Sequence, residues 1–263
     1  MSEHHEHPTA DEHPPTPRRV AVVANTSFYV GPSLARRLAM AGHDLVIGDP
    51  EPGLVDELHE LGASVEVVTG VRDLADPVSS HTLVDAALRR FGHLDAAVMF
   101  SGRVVTGRFL DSSFEDLRSV LAGCVEAPFH FLRAVLASMV ERRRGQVLVI
   151  TSASGARATP GAPLYSSARA AANHLVRNVA AEVARHDIQV NALGTNFMDF
   201  PEFLRASGAT DPTVRARIEG QVPLRRLGTV DECAAACMPF IDGTSTFVTG
   251  QFLAFDGGWS AAT

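Results

Sequence analysis

From Val20 onward the chain alternates short β-branched runs with longer amphipathic stretches, and few folds accept that pattern. Residues 20–23, 44–47, 64–68, 96–100, 146–150, 189–192 and 252–255 read as seven strands. Helical periodicity fills 32–41, with Pro32 near its first turn, and also 83–91, 114–140 and 168–185. Two helix starts carry capping boxes, Ser112 with Glu115 and Thr229 with Glu232. Strands separated by helices predict an α/β chain: a Rossmann-like, doubly wound, seven-stranded parallel sheet with helices on both faces, in a single domain. The domain is expected over 18–263. Residues 1–17 hold His4, His5, His7 and His13 among acids and prolines, and lack the apolar residues that would fix a metal-binding geometry. They read as a disordered tail. The stretch 199–222, rich in Pro, Gly and charge, reads as an excursion over the carboxyl edge of the sheet, where such folds bind ligands.

Composition narrows the function classes. Of 263 residues 46% are hydrophobic, enough for a sizeable core. Lys plus Arg total 23 against 30 Asp plus Glu, so the net charge of −7 offers neither the bulk positive charge for nucleic acid nor a polybasic patch for a membrane. No apolar run is read as approaching the roughly 18 residues of a spanning helix, and the polar start has no signal-peptide core. Three cysteines imply a reducing compartment, so a cytoplasmic location is expected. Cys233 and Cys237, four apart on a helix, have no second ligand pair and read as core, so no metal is expected. Cys124 has no paired histidine and reads as inert; the run 142–144, three arginines, reads as a solvated helix end.

A nucleotide-binding turn after the first strand needs glycines, so that backbone can approach a pyrophosphate at the helix N-terminus. Here the turn 24–31 reads Ala-Asn-Thr-Ser-Phe-Tyr-Val-Gly, and only Gly31 remains of three expected glycines. Phe28 and Tyr29 stand where a dinucleotide would pass, and rings of that size cannot share the space. A looser turn that still admits a nucleotide is the alternative. Asp49, followed by Pro50, is either the acid that grips an adenosine ribose or a simple turn residue.

One constellation carries chemistry. Tyr165 is one of two tyrosines; Ser152 stands thirteen residues before it and Arg169 four after, one helical turn along the same face. A free phenol, with a pKa near 10, is a poor base at neutral pH. A guanidinium that never loses its charge favours the phenolate, and a serine hydroxyl can hydrogen-bond the substrate oxygen.

With these residues in view, the chain resembles the short-chain dehydrogenase/reductase superfamily over nearly all of 19–259, including the late run 249–258, Thr-Gly-Gln-Phe-Leu-Ala-Phe-Asp-Gly-Gly. That superfamily carries Ser and then Tyr-x-x-x-Lys at this spacing. Arg169 in place of Lys, together with an aromatic in the glycine turn, resembles the halohydrin dehalogenases, whose motif is Ser-x12-Tyr-x3-Arg with an aromatic-x-Gly. Tyr29 and Gly31 match the latter, although Ala24 stands where that family usually has Thr. The loop 193–201, Leu-Gly-Thr-Asn-Phe-Met-Asp-Phe-Pro, looks most like the type-G subgroup. Other superfamily marks are replaced: Cys124 for Asn, Gly70 for Asp, and Met-Phe-Ser-Gly at 99–102 for Asn-Asn-Ala-Gly.

The resemblance implies a lyase that needs no cofactor and converts vicinal haloalcohols into epoxides plus halide. In reverse it would open epoxides with azide, cyanide or nitrite. It assigns Ser152, Tyr165 and Arg169 to catalysis and Tyr29, Asn196, Phe197 and Met198 to a pocket for the halide or other small anion, and it implies a homotetramer. Two alternatives stand beside it: an NAD(P)-dependent short-chain oxidoreductase with a degenerate glycine turn, and a catalytically silent member serving as an assembly or regulatory subunit.

Overall fold

Seven strands form one parallel sheet in the computed structural model, which describes residues 18–100 and 102–261. The chain begins β1 (Arg19–Val23), α1 (Val30–Met40), β2 (His43–Gly48), α2 (Leu54–Glu60), β3 (Val65–Val68), α3 (Pro77–Phe91) and β4 (Ala96–Phe100). It continues with α4 (Phe114–Leu121), a π-turn (Ala122–Glu126), α5 (Ala127–Arg142), β5 (Gly145–Ser152), α6 (Pro163–Val183) and β6 (Ile188–Thr195). After these come β7 (Met198–Asp199), α7 (Pro201–Ser207), α8 (Pro212–Glu219), β8 (Gly228–Thr229), α9 (Val230–Cys237) and β9 (Phe252–Phe255).

The sheet order is β3-β2-β1-β4-β5-β6-β9, so the winding reverses between β1 and β4, the place where doubly wound sheets open a crevice. The fold class and all seven strands match the sequence reading. Central strands are buried along nearly their whole length because helices cover both faces. On one face Leu83 and Val84 of α3, Phe131 and Met139 of α5, and Val176 of α6 pack together. On the other, Leu34 and Leu38 of α1 meet Leu54 and Leu58 of α2 and Cys233 and Cys237 of α9, so both cysteines are core residues as expected.

Several local readings need correction. The stretch Phe114–Arg142 is long and apolar enough, by length and composition alone, to cross a membrane. Here its apolar side chains Phe131, Val135 and Met139 are buried in the core beside those of α3 and α6. The predicted box at Ser112 forms one residue later, where Ser113 caps Asp116 N–H at 3.1 Å and Asp116 reaches back at 2.8 Å. Ser112 instead donates to the Phe109 carbonyl. The Thr229–Glu232 box forms as read. Arg142 and Arg144 are drawn over buried Asp95, at 3.5 and 3.8 Å, rather than simply solvated. The tail at 1–17 lies outside the described residues. The excursion over the carboxyl edge becomes β7, α7 and α8, with β7 pairing β8 in a two-stranded parallel ladder.

Candidate active site

The turn after β5 is stitched to the start of α6. Ser152 ends the strand; its Oγ lies 2.8 Å from the Ser154 hydroxyl, accepts the Ser154 N–H at 3.2 Å, and donates to the Thr195 carbonyl at 3.2 Å. Twelve residues on from Ser154, Ser166 Oγ of α6 donates to the Ser154 carbonyl at 2.7 Å. Gly155 lets these two segments touch, because a Cβ there would meet the Arg169 and Ala170 backbone at 2.6–2.7 Å. Helix α6 begins at Pro163 in its first turn, five residues before the predicted start, and so takes in Tyr165 as well as Arg169.

Arg169 is 5% exposed, and its guanidinium carbon lies 5.1 Å from the centre of the Tyr165 ring. Burial alone would lower its pKa; the neighbouring Tyr165, Cys124 and Tyr29 outweigh that effect and hold it above the ordinary arginine value. The guanidinium is also flanked by Gly102, whose φ is 151° and where a Cβ would overlap Nη2. Cys124, in the π-turn, is buried with Val120 and Ala168, and Tyr165 packs against this group.

Ser152, Tyr165 and Arg169 line one cavity of about 970 Å³. The four residues assigned to an anion pocket, Tyr29, Asn196, Phe197 and Met198, line it too. Two of their polar groups already have partners within the protein. The Tyr29 hydroxyl donates to Thr195 Oγ1 at 2.8 Å, and the Phe197 N–H donates to Asn196 Oδ1 at 3.0 Å. The Phe197 ring packs on Trp259 and Phe203, while Met198 is a core residue of the α1 face. Sequence reading missed Thr195, Arg157 and Trp259. Thr195 is the β6 partner of Ser152 in the sheet register, beyond the 189–192 strand read from the sequence.

Three observations test whether these residues fit a dinucleotide. Tyr29, with φ 58°, immediately precedes α1 and sends its ring across the crevice to the end of β6, packed on Phe100 and Phe200 at 5.5 and 4.5 Å. That ring occupies the route from the β1 turn to the reacting groups. Gly31 serves packing: a Cβ there would overlap the Asn25 carbonyl. Asp49 uses both carboxylate oxygens on the N–H groups of Gly70 and Val71, at 2.7 and 3.0 Å, so it is a turn residue. In this arrangement the residues do not fit a dinucleotide. Among the described residues, no group of three or more His, Cys, Asp or Glu could hold a metal ion.

A family model described as Enoyl-(Acyl carrier protein) reductase matches residues 27–260. The chain is 32% identical to the cis-4-hydroxycyclohexanecarboxylate dehydrogenase of Sinomonas cyclohexanicum, over 92% of this chain and 97% of the other. It is 26% identical to the D-beta-hydroxybutyrate dehydrogenase of Rhizobium meliloti (strain 1021), over 92% and 99%. Among solved structures it is similar to a gluconate 5-dehydrogenase from Burkholderia cenocepacia J2315 in complex with NADP and tartrate, with TM-score 0.82, 26% identity, and coverage of 93% and 96%. These relatives are dehydrogenases, and they overturn the expectation of a halohydrin dehalogenase; the alternative, an oxidoreductase, is the one they back. The chain belongs to the short-chain dehydrogenase/reductase superfamily, in the family described as Enoyl-(Acyl carrier protein) reductase.

Proposed function

We propose that this chain is an oxidoreductase that interconverts a hydroxyl and a carbonyl on a small substrate, with Tyr165 exchanging the proton of that oxygen. The observation that carries the reading is the convergence of Ser152, Tyr165 and Arg169 on one cavity in a chain of this family. In the alcohol direction the phenolate of Tyr165 accepts the hydroxyl proton, and in the carbonyl direction the phenol returns it; the hydride acceptor or donor that balances the change would be a nicotinamide dinucleotide taken from solution. Arg169, buried against the ring face, stabilises negative charge on the phenol oxygen and cannot neutralise itself by losing a proton. Ser152, whose hydroxyl donates to the Thr195 carbonyl in the free protein, would turn that O–H to the substrate oxygen on binding.

The relatives' names support the substrate class: hydroxybutyrate, hydroxycyclohexanecarboxylate and gluconate each carry a hydroxyl. The gluconate 5-dehydrogenase was solved with NADP; a dinucleotide reaches the same crevice here only when the Tyr29 ring leaves Thr195. Such a displacement gives up one hydrogen bond, a net cost of about 0.5–1.5 kcal/mol, plus the ring contacts. The test is a panel of secondary alcohols, hydroxy acids and their ketones offered with NAD(H) and NADP(H), following the nicotinamide absorbance. The reading expects turnover with at least one member; none with any member sinks it. A homotetramer is part of the proposal, supported by Phe114 of α4, 72% exposed, and by Phe129 of α5, at 42%. Light scattering reporting a monomer would remove it.

A further inference from the structure

Only 6% of the residues are aromatic, yet seven rings run in an unbroken line along the wall of the main cavity. From the turn after β1, Phe28 meets Phe100 of β4 at 5.5 Å, and Phe100 meets Tyr29 at 5.5 Å. Tyr29 passes the line to Phe200 at 4.5 Å, and Phe200 to Phe203 of α7 at 6.4 Å. Phe203 then meets Phe197 at 6.4 Å, and Phe197 meets Trp259, beyond β9, at 5.5 Å. These rings come from four regions far apart in sequence, and only the fold brings them into line.

All seven are half-buried, unlike Phe131, which is wholly sunk in the core. Tyr29, Phe100 and Phe200 lean on the core of the α1 face, while Phe197 and Phe203 lean on a smaller cluster of Ala209, Ile218 and Leu227. At the end of the line the Arg157 guanidinium lies 4.8 Å from the centre of the Trp259 ring. The rings are anchored by these contacts, and each still lines the cavity. Covering such surface favours an apolar ligand. The geometry narrows the class further, because four of the six ring contacts are edge-to-face, at 76 to 86°. Edge-to-face rings set an electron-poor edge on an electron-rich face, an arrangement that another aromatic ring extends and a saturated ring does not. At about 970 Å³ the cavity has room for a bicyclic body beside Tyr165. We infer that the substrate is an aryl-bearing secondary alcohol or ketone whose aromatic body lies on Phe197, Phe203 and Trp259, with its reacting oxygen at Tyr165. This part of the line does not include Tyr29, so it is left in place when that ring moves. The inference rests on the oxidoreductase reading for the identity of the reacting group, but the aryl contact can be measured without turnover.

Trp259 is the only tryptophan in the chain, so its fluorescence reports this end of the cavity directly. The full-length protein, without nucleotide, is titrated with 1-tetralol and with its saturated counterpart decahydro-1-naphthol, exciting Trp259 where neither ligand absorbs. The saturated compound is the more apolar of the two, so burial of area alone would favour it. The aryl alcohol is expected to bind about three- to tenfold tighter. Phe197→Leu combined with Phe203→Leu should erase that preference. Phe28→Leu, at the far end of the line, and Phe114→Leu, on the exposed side of α4, should leave it intact. Circular dichroism checks each variant's fold; should the double variant unfold, the two single variants are read instead, each expected to lose part of the preference. Equal affinity for the two alcohols, tighter binding of the saturated one, or a preference that outlasts the Phe197 and Phe203 rings overturns the inference. So does a preference abolished by Phe28→Leu, which would put the aryl group at the β1 end. An aryl preference kept by a protein that turns over no alcohol or ketone would sink the oxidoreductase reading and leave the aryl contact standing. Turnover without an aryl preference would do the reverse.

Discussion

The turns after β1 and β5 leave the same edge of the same sheet, yet they treat that space in opposite ways. After β5, small residues and hydroxyls let the chain fold tightly onto α6: Ser152, Ser154 and Gly155 give way to the helix, and Ser166 ties the two together. The result is a cavity with a phenol, a hydroxyl and a buried cation on its wall. After β1, Phe28 and Tyr29 fill the space, and the Tyr29 hydroxyl bolts the turn to Thr195, 166 residues away. What a strand end offers a ligand is therefore decided by the bulk of the turn that follows it, within one unaltered backbone architecture. Ser152, Tyr165 and Arg169, the last standing where the superfamily has Lys, meet on one cavity, while the Tyr29 ring lies across the crevice.

Substitutions at each turn can break or sharpen this contrast. The largest effect after loss of Tyr165 itself is expected from Gly102→Ala. The added Cβ overlaps Nη2 of Arg169, and that side chain is buried, so the guanidinium must shift off the Tyr165 ring. Turnover should fall about tenfold or more, since misplacing a supporting group by about an ångström is costly. Steady-state kinetics set beside a thermal melt show whether the site or the whole fold has suffered. Next comes Tyr29→Ala, which removes the bolt. Nicotinamide nucleotide affinity should rise about tenfold by calorimetry, roughly the 1.4 kcal/mol that one hydrogen bond and its ring contacts supply. Unchanged affinity would mean that the β1 turn is closed by more than this ring.

The smallest effect lies outside both turns. The guanidinium of Arg226 and the Thr229 N–H hold the Glu232 carboxyl down to about 2. Its folded value is thus below the unfolded one, near 4.3, so its contribution is fully present above that pH and is lost as pH falls toward 2. The group is largely exposed, and solvent screening keeps the contribution small. Glu232→Gln should lower Tm by about 2–4 °C at neutral pH, with the difference from the unsubstituted protein shrinking as the melts are repeated at lower pH.

Much of this was legible from residues alone, for identifiable reasons. Strand and helix periodicity depends on near neighbours, so the seven strands and their parallel winding followed from pattern. Ser152, Tyr165 and Arg169 also declared themselves, because a strand end and one helical turn put them at short separations. Phe28 and Tyr29 were readable as obstructions by size. The tie from Tyr29 to Thr195 and the stacking of Arg157 on Trp259 were not legible: each joins residues more than a hundred apart, and neither has a local signature. The start of α6 was misplaced because Pro163 opens the helix inside a run of small residues whose periodicity only emerges later. The dehalogenase expectation came from the Arg169 and Tyr29 replacements taken together. Each has a local use here, one as a buried cation on a ring face and the other as a bolt across the crevice.

The central claim is that Tyr165 exchanges the proton of the reacting oxygen. It is tested most directly by Tyr165→Phe, assayed on the best substrate of the panel. The ring, its packing on Ala168 and its contact with Arg169 all survive that change, and only the hydroxyl is lost. The account predicts a fall in kcat of at least about 100-fold, within the 10²–10⁴ range of general acid–base catalysis, with KM and the thermal melt little changed. A Tyr165→Phe protein that turns over at a near-normal rate would contradict it.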